Sequence, residues 1–223
     1  MIKNKTPKQI KNSKGFTIIE LMIATTIFAV IMIITTTAIL GISKTYIQGL
    51  VESQNQNTTR RIISEISQDI QYNNQATINI SGIQHLNSTS PLGWFCIGQD
   101  VYVVNIDHEI QNSSDFALIR YSSSSCPSSQ PAIISGLPPS GSYNKGSVEE
   151  LLTSNQQLSR FSILYSTNGY YSVSTTVAYG NDFMPGPAVV TNGLIYECNT
   201  SSYGLNFCSI SSLTNSIEPI INN

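Results

Sequence analysis

The sequence predicts an α+β fold in which one long N-terminal helix, its first half crossing a membrane, packs on an antiparallel β-sheet. Three observations carry that expectation. An apolar run fills residues 16–41, and isoleucines at helical spacing follow it. Beyond Asn74 the chain breaks into short β-rich runs bounded by Gly, Pro, Ser and Asn.

The first 15 residues contain Lys3, Lys5, Lys8, Lys11 and Lys14 and no acid. This leader carries +5, while the whole 223-residue chain carries −2. With Pro7 and no apolar periodicity, it reads as a processed segment outside the fold. Basic residues flanking a span stay cytoplasmic, so the N-terminus is expected inside and the body outside the cytoplasm. Without the leader, six basic residues face 13 acidic ones, a formal charge of −7. That balance leaves no basic patch for nucleic acid.

Residues 16–41 exceed the ~20 apolar residues that cross a lipid bilayer as a helix. Only Glu20 is charged among them, and an ionised carboxylate at the bilayer centre costs about 2.5–3.5 kcal/mol on insertion scales. A secretory signal peptide would have a shorter apolar core with its small-residue cleavage site after it. Here the small residue comes first: Gly15 lies between the last leader lysine and Phe16. A cut after Gly15 would free the Phe16 amine while leaving it on its membrane helix.

The stretch Lys14-Gly15-Phe16-Thr17-Ile18-Ile19-Glu20-Leu21-Met22 resembles the prepilin signal of type IV pilins and type II secretion pseudopilins. The resemblance covers the leader and first helix, to about residue 70, and its motif is short but specific. It implies a pilin-like fold, cleavage after Gly15 by a prepilin peptidase, and N-methylation of Phe16. It also implies assembly with other pilin or pseudopilin subunits at an inner-membrane platform, ending in a filament at the surface or in the envelope. Glu20 would register subunits by pairing with the Phe16 amine of a neighbour. The irregular body suits a larger minor pilin rather than a principal one; a secretion pseudopilin, a competence pilin and a membrane-anchored binding domain are the alternatives. One departure is the lack of a proline midway along the span, where Thr35, Thr36 and Thr37 stand instead. Beta-branching and back-bonding to carbonyls let threonines weaken a helix slightly.

Ile42, Tyr46, Leu50, Ile62, Ile63, Ile66 and Ile70 extend the helical pattern to about Tyr72. The expected divisions are therefore a leader over 1–15, a transmembrane half over 16–41, an amphipathic half over 42–72 and a β-rich body over 73–223. Ile62, Ile66 and Ile70 form a core stripe, and Arg60, Arg61, Glu65 and Asp69 are assigned to other faces.

In the body, strands are expected at 92–97, 101–106, 116–121, 160–166, 170–178 and 189–198, with a weaker one near 207–210. Thr167-Asn168-Gly169 marks a hairpin turn. Residues 122–143, rich in Ser and Pro, read as a surface loop tethered by Cys126. Ser147 followed by Glu150 predicts a capping box opening a short helix. The tail from Ser211 is expected to be loose.

Cys96, Cys126, Cys198 and Cys208 all lie beyond the span, in the part expected to reach an oxidising compartment. Four cysteines allow three pairings; sequence proximity favours Cys96 with Cys126 and Cys198 with Cys208. No GxSxG, HExxH or GxxxxGK[ST] pattern occurs. We therefore expect no catalytic residue, no metal and no cofactor. His108, between Asp107 and Glu109, reads as part of a solvated turn.

Overall fold

The computed structural model describes residues 15–84, 86, 90–112, 114–131, 148–180, 188–190, 193–195 and 209–219. Helix α1 covers Ile18–Tyr72, so the helix ends where the isoleucine pattern ends. The chain divides into two compact units, Met1–Thr45 and Tyr46–Asn223.

In the first unit the apolar side chains from Phe16 to Leu40 are exposed. The threonines turn back on the helix. Thr25 donates to the Met22 carbonyl at 3.0 Å, Thr26 to Ile23 at 2.8 Å, and Thr36 to Met32 at 2.7 Å. Thr35 and Thr37 make the same kind of bond. Each hydroxyl is satisfied within its own turn and presents its methyl outward, which lets threonine sit in an apolar span. Residues 35–37 remain helical.

The second unit begins its burial at Val51 and seats Ile62, Ile63, Ile66 and Ile70 in the main core. The stripe expected from spacing is the one that packs. Asn73 closes the helix, its Nδ2 donating to the Asp69 carbonyl at 2.8 Å, and Asn74 caps the 3-10 turn Gln75–Thr77 that follows, its side chain accepting from Ala76 N at 3.1 Å.

Five strands then form an antiparallel meander in chain order: β1 Ile78–Asn79, β2 Leu92–Ile97, β3 Asp100–Asn105, β4 Leu118–Ser122 and β5 Glu149–Glu150. A two-residue turn joins β2 to β3. Gly98 takes φ 62 there, a conformation that favours glycine, and an added Cβ would push the Asn73 side chain aside. Side chains alternate across the sheet. Phe95, Ile97, Tyr102, Val104 and Leu118 join the helix isoleucines. Cys96, Val101, Val103, Ile119 and Tyr121 form a second core on the opposite face, covered in part by Trp94, Phe116, Cys126 and Val148. Both faces of β3 are therefore buried.

The second sheet contains β6 Gln156–Tyr165, β7 Tyr171–Tyr179 and, after a short hairpin of β8 Ala188–Val190 with β9 Gly193–Ile195, the last strand β10 Ser209–Ile217. Its order is β10-β7-β6, all antiparallel. Gly169, at φ 88, closes the β6–β7 turn with its amide on the Ser166 carbonyl at 3.0 Å. Single bridges from Ile106 to Leu158 and from Glu109 to Gln157 link this sheet to the connection after β3.

The strands expected at 92–97, 101–106, 116–121, 160–166 and 170–178 are present, shifted by a residue or two at most ends, with β6 starting four residues early. Four expectations change. Residues 189–198 do not form one strand; β8 and β9 fold as a hairpin instead. Glu149 and Glu150 are extended rather than helical, because Glu150 turns its carboxylate onto the amides of Ala117, Leu118 and Leu152 at 3.0–3.1 Å. The tail is strand β10, since Ser209 and Ile217 bury its two ends while Ser, Thr and Asn line the exposed middle. Glu65 and Asp69 are not solvent decoration; both meet residues of the first sheet. Ser147, Phe207, Cys198 and Cys208 lie outside the described residues.

Cys96 and Cys126 form a disulfide with Cα atoms 5.9 Å apart. The bond pins the Ser- and Pro-rich segment after β4 onto the second core, where Trp94 Nε1 also donates to the Pro127 carbonyl at 3.3 Å. Cys126 tethers this segment as the sequence led us to expect.

Candidate functional site

Gly15, Phe16 and Thr17 precede the helix without regular structure, and helix α1 starts at Ile18. The start is set by a reciprocal pair. Glu20 N donates to Thr17 Oγ1 at 3.3 Å, and the Glu20 carboxylate accepts from Thr17 N at 3.2 Å and from Thr17 Oγ1 at 3.0 Å. This is a capping box, with Thr17 as N-cap and Glu20 three residues in. It satisfies two amides that a helix start leaves open, and it places a carboxylate where the helix dipole favours negative charge.

The sequence contained that signal in Thr17-x-x-Glu20, but the motif reading assigned Glu20 only an intermolecular role. Glu20 is exposed, and among the described residues its carboxylate meets only Thr17. Phe16 is 77% exposed. At Gly15 an added Cβ would meet nothing within 4 Å. No packing among the described residues requires glycine there.

Helix α1 is long and apolar enough to cross a membrane, and its most apolar stretch is unburied among the described residues. A side chain that finds no partner in its own fold is free to meet lipid or another helix.

The body gathers its charges in a second cluster. Tyr102 and Arg120 are cross-strand neighbours on β3 and β4, and both reach α1. The Tyr102 hydroxyl donates to Asp69, and Arg120 pairs with Glu65, one turn earlier. Arg120 also lies 3.5 Å from Glu149, which in turn pairs with Arg61 at 3.0 Å. Burial raises the Asp69 carboxyl above its ordinary range, and the Tyr102 hydrogen bond opposes that shift. Burial likewise raises Glu65, with Arg120 opposing. The cluster fixes the helix against the sheet; its groups are engaged with one another.

His108 approaches the Asp115 carboxylate at 3.7 Å in the connection after β3. The amides of Asn112 and Gln111 hold Asp115 below the usual carboxylate range. Among the described residues, no three His, Cys, Asp or Glu side chains converge as metal ligands.

A family model described as the prokaryotic N-terminal methylation motif matches residues 10–36. The match spans Gly15, Phe16 and Glu20 and runs into the apolar helix, so the chain bears the N-terminal signature of type IV pilins and pseudopilins. No curated protein and no solved structure matches the chain.

Proposed function

We propose that this protein is a non-catalytic minor pilin or pseudopilin subunit that enters a type IV pilus-like filament through its N-terminal helix. Prepilin peptidase adds water across the Gly15–Phe16 bond, leaving a carboxylate on Gly15 and an ammonium on Phe16. Methylation of that nitrogen keeps its positive charge. The single observation that carries the reading is the methylation motif over residues 10–36, seated at the start of a helix whose most apolar stretch is unburied among the described residues.

Two further features support it. Glycine at position 15 meets no steric demand among the described residues, which fits a demand for a small residue from an outside partner such as a protease cleft. The capping box starts the helix at Ile18 and keeps the Gly15–Phe16 bond outside it. Proteases bind extended backbone, and a helix beginning at Gly15 would hide the bond.

In the mature subunit the Phe16 ammonium and the Glu20 carboxylate are opposite charges near the helix start. Pairing of one subunit's amine with another's Glu20 would gain strength as water is excluded and would set axial register. The Cys96–Cys126 disulfide supports a body outside the reducing cytoplasm. The partners are prepilin peptidase, other pilin or pseudopilin subunits, the inner-membrane assembly platform and the lipid bilayer.

The test is mass spectrometry of the protein isolated from membranes of cells carrying the peptidase. The mature chain should begin at methylated Phe16. An intact leader, or a cut after Gly41, would sink the reading.

A further inference from the structure

Helix α1 meets the sheets through two zones of different chemistry. Ile62, Ile63, Ile66 and Ile70 form the apolar zone, each at most 4% exposed. One turn before them the buried helix residues are Val51, Asn55, Thr58 and Thr59, three of them polar.

The polar zone is a hydrogen-bonded seam. Asn55 donates its Nδ2 to the Val177 carbonyl of β7 at 2.9 Å and to the Ser209 carbonyl of β10 at 3.1 Å. Gln156 of β6 donates its Nε2 to Thr58 Oγ1 at 3.2 Å, while its Oε1 accepts from Thr153 N and Oγ1, both at 2.9 Å. Asn55 and Gln156 are both fully buried. Two more hydroxyls of the same sheet, Ser159 and Thr175, are buried with no hydrogen-bond partner among the described residues.

These zones differ in what opening costs. Each bond of the seam can be exchanged for one to water, so its net contribution is small, and water admitted there would also reach unsatisfied hydroxyls. Opening the isoleucine zone instead hydrates four full apolar side chains. We propose that residues 51–59 separate from the sheet, together with the Ser209 end of β10, as a local opening unit, while Ile62–Ile70 side chains stay seated. Asn55 is the latch, because among the described residues it alone ties the helix to both β7 and β10 carbonyls. This gives the domain a yielding section at the start of its buried helix, and it holds whether or not the chain enters a filament.

Native-state thiol labelling of the full chain in detergent micelles tests the idea. Thr59→Cys and Ile66→Cys place probes at two positions with no exposed surface, and the unsubstituted chain gives the background from its own cysteines. Thr59→Cys should label about a hundredfold faster in dilute denaturant, even though truncating Ile66 loosens its own site. Adding Asn55→Ala removes the hydrogen bonds to the Val177 and Ser209 carbonyls and the one accepted from Gln156 Nε2 at 3.4 Å, and should speed labelling at Thr59→Cys by about tenfold, leaving Ile66→Cys unchanged. Similar rates at the two probes, or equal acceleration of both by Asn55→Ala, overturn the proposal. If Asn55→Ala does not fold, the comparison of the two probes still decides.

Discussion

Tyr102 and Asp69 join sheet to helix through one hydrogen bond from a wholly buried phenol to a half-buried carboxylate. The Tyr102 ring also stacks on Phe95, with centroids 4.6 Å apart. Tyr102→Phe keeps the stack and removes the donor, leaving Asp69 without its partner. We expect a loss of about 1–3 kcal/mol in denaturant unfolding at neutral pH. The pH dependence has a definite sign. Asp69 is already raised by burial, and losing Tyr102 raises it further. A carboxylate raised in the folded state costs stability above its folded pKa, and that cost fades as pH falls through it. The deficit should shrink on acidification; a deficit independent of pH would remove Asp69 from the account.

Arg120 and Arg61 both pair with carboxylates but differ in exposure. The Arg120 and Glu65 side chains are 28% and 19% exposed, whereas Arg61 and Glu149 are 51% and 47% exposed. Arg120→Met strands a partly buried carboxylate and should cost about 2 kcal/mol, less than a fully buried pair. Arg61→Ala should stay within about 0.5 kcal/mol. Thermal unfolding of the two variants side by side checks the ranking.

Glu150 is held by burial above the usual carboxylate range, with backbone amides opposing the shift. Its carboxylate accepts from Ala117, Leu118 and Leu152. Glu150→Ala leaves those amides to find water or go unpaired, an expected cost of about 2–4 kcal/mol. Because β5 pairs only at Glu149 and Glu150, its edge of the sheet should lose amide protection first. Unchanged exchange at Leu118 would refute the capping role.

The disulfide encloses a loop with a separation of 30 residues. Replacing Cys96 and Cys126 together by Ser should lower stability by about 3–4 kcal/mol on chain-entropy grounds. Cleavage at Gly15 should be unaffected, since the first unit does not contain these residues. Non-reducing peptide mapping of the unsubstituted protein should recover the 96–126 crosslink.

What was legible in the sequence followed local periodicity. The isoleucine stripe packs as its spacing indicates, and the turn at Asn168-Gly169 forms where it was expected. Long-range partners were not legible. Nothing near Glu65 announces Arg120, 55 positions away, and a charged helix residue reads as solvated until its neighbour is known. Glu150 imitated a capping box because Ser-x-x-Glu is a local signal, but its carboxylate found two amides across the sheet, Ala117 and Leu118, and one in its own segment, Leu152. Strand β10 was hidden by composition: its exposed middle is Ser, Leu, Thr and Asn, and only Ser209 and Ile217 are buried. At the N-terminus the reverse happened. Thr17-x-x-Glu20 was a readable local signal, overshadowed by the larger motif around it.

That overlap leaves Glu20 with a capping role seen in the structure and a proposed intermolecular one, which substitution can separate. As part of the capping box, Glu20 and Thr17 contribute jointly to the helix start, and losing either side chain should cost the helix about 1 kcal/mol. As a partner for a neighbour's Phe16 amine, only the carboxylate matters. Thr17→Ala removes the cap and keeps the charge; Glu20→Gln keeps the shape and removes the charge. If register depends on charge, Glu20→Gln should be processed to Phe16 yet fail to enter filaments, while Thr17→Ala assembles. Filament incorporation is measured by shearing and quantifying the subunit against its membrane pool. Loss of assembly in Thr17→Ala with normal assembly of Glu20→Gln would assign Glu20 to helix capping and leave the intermolecular pair without a function.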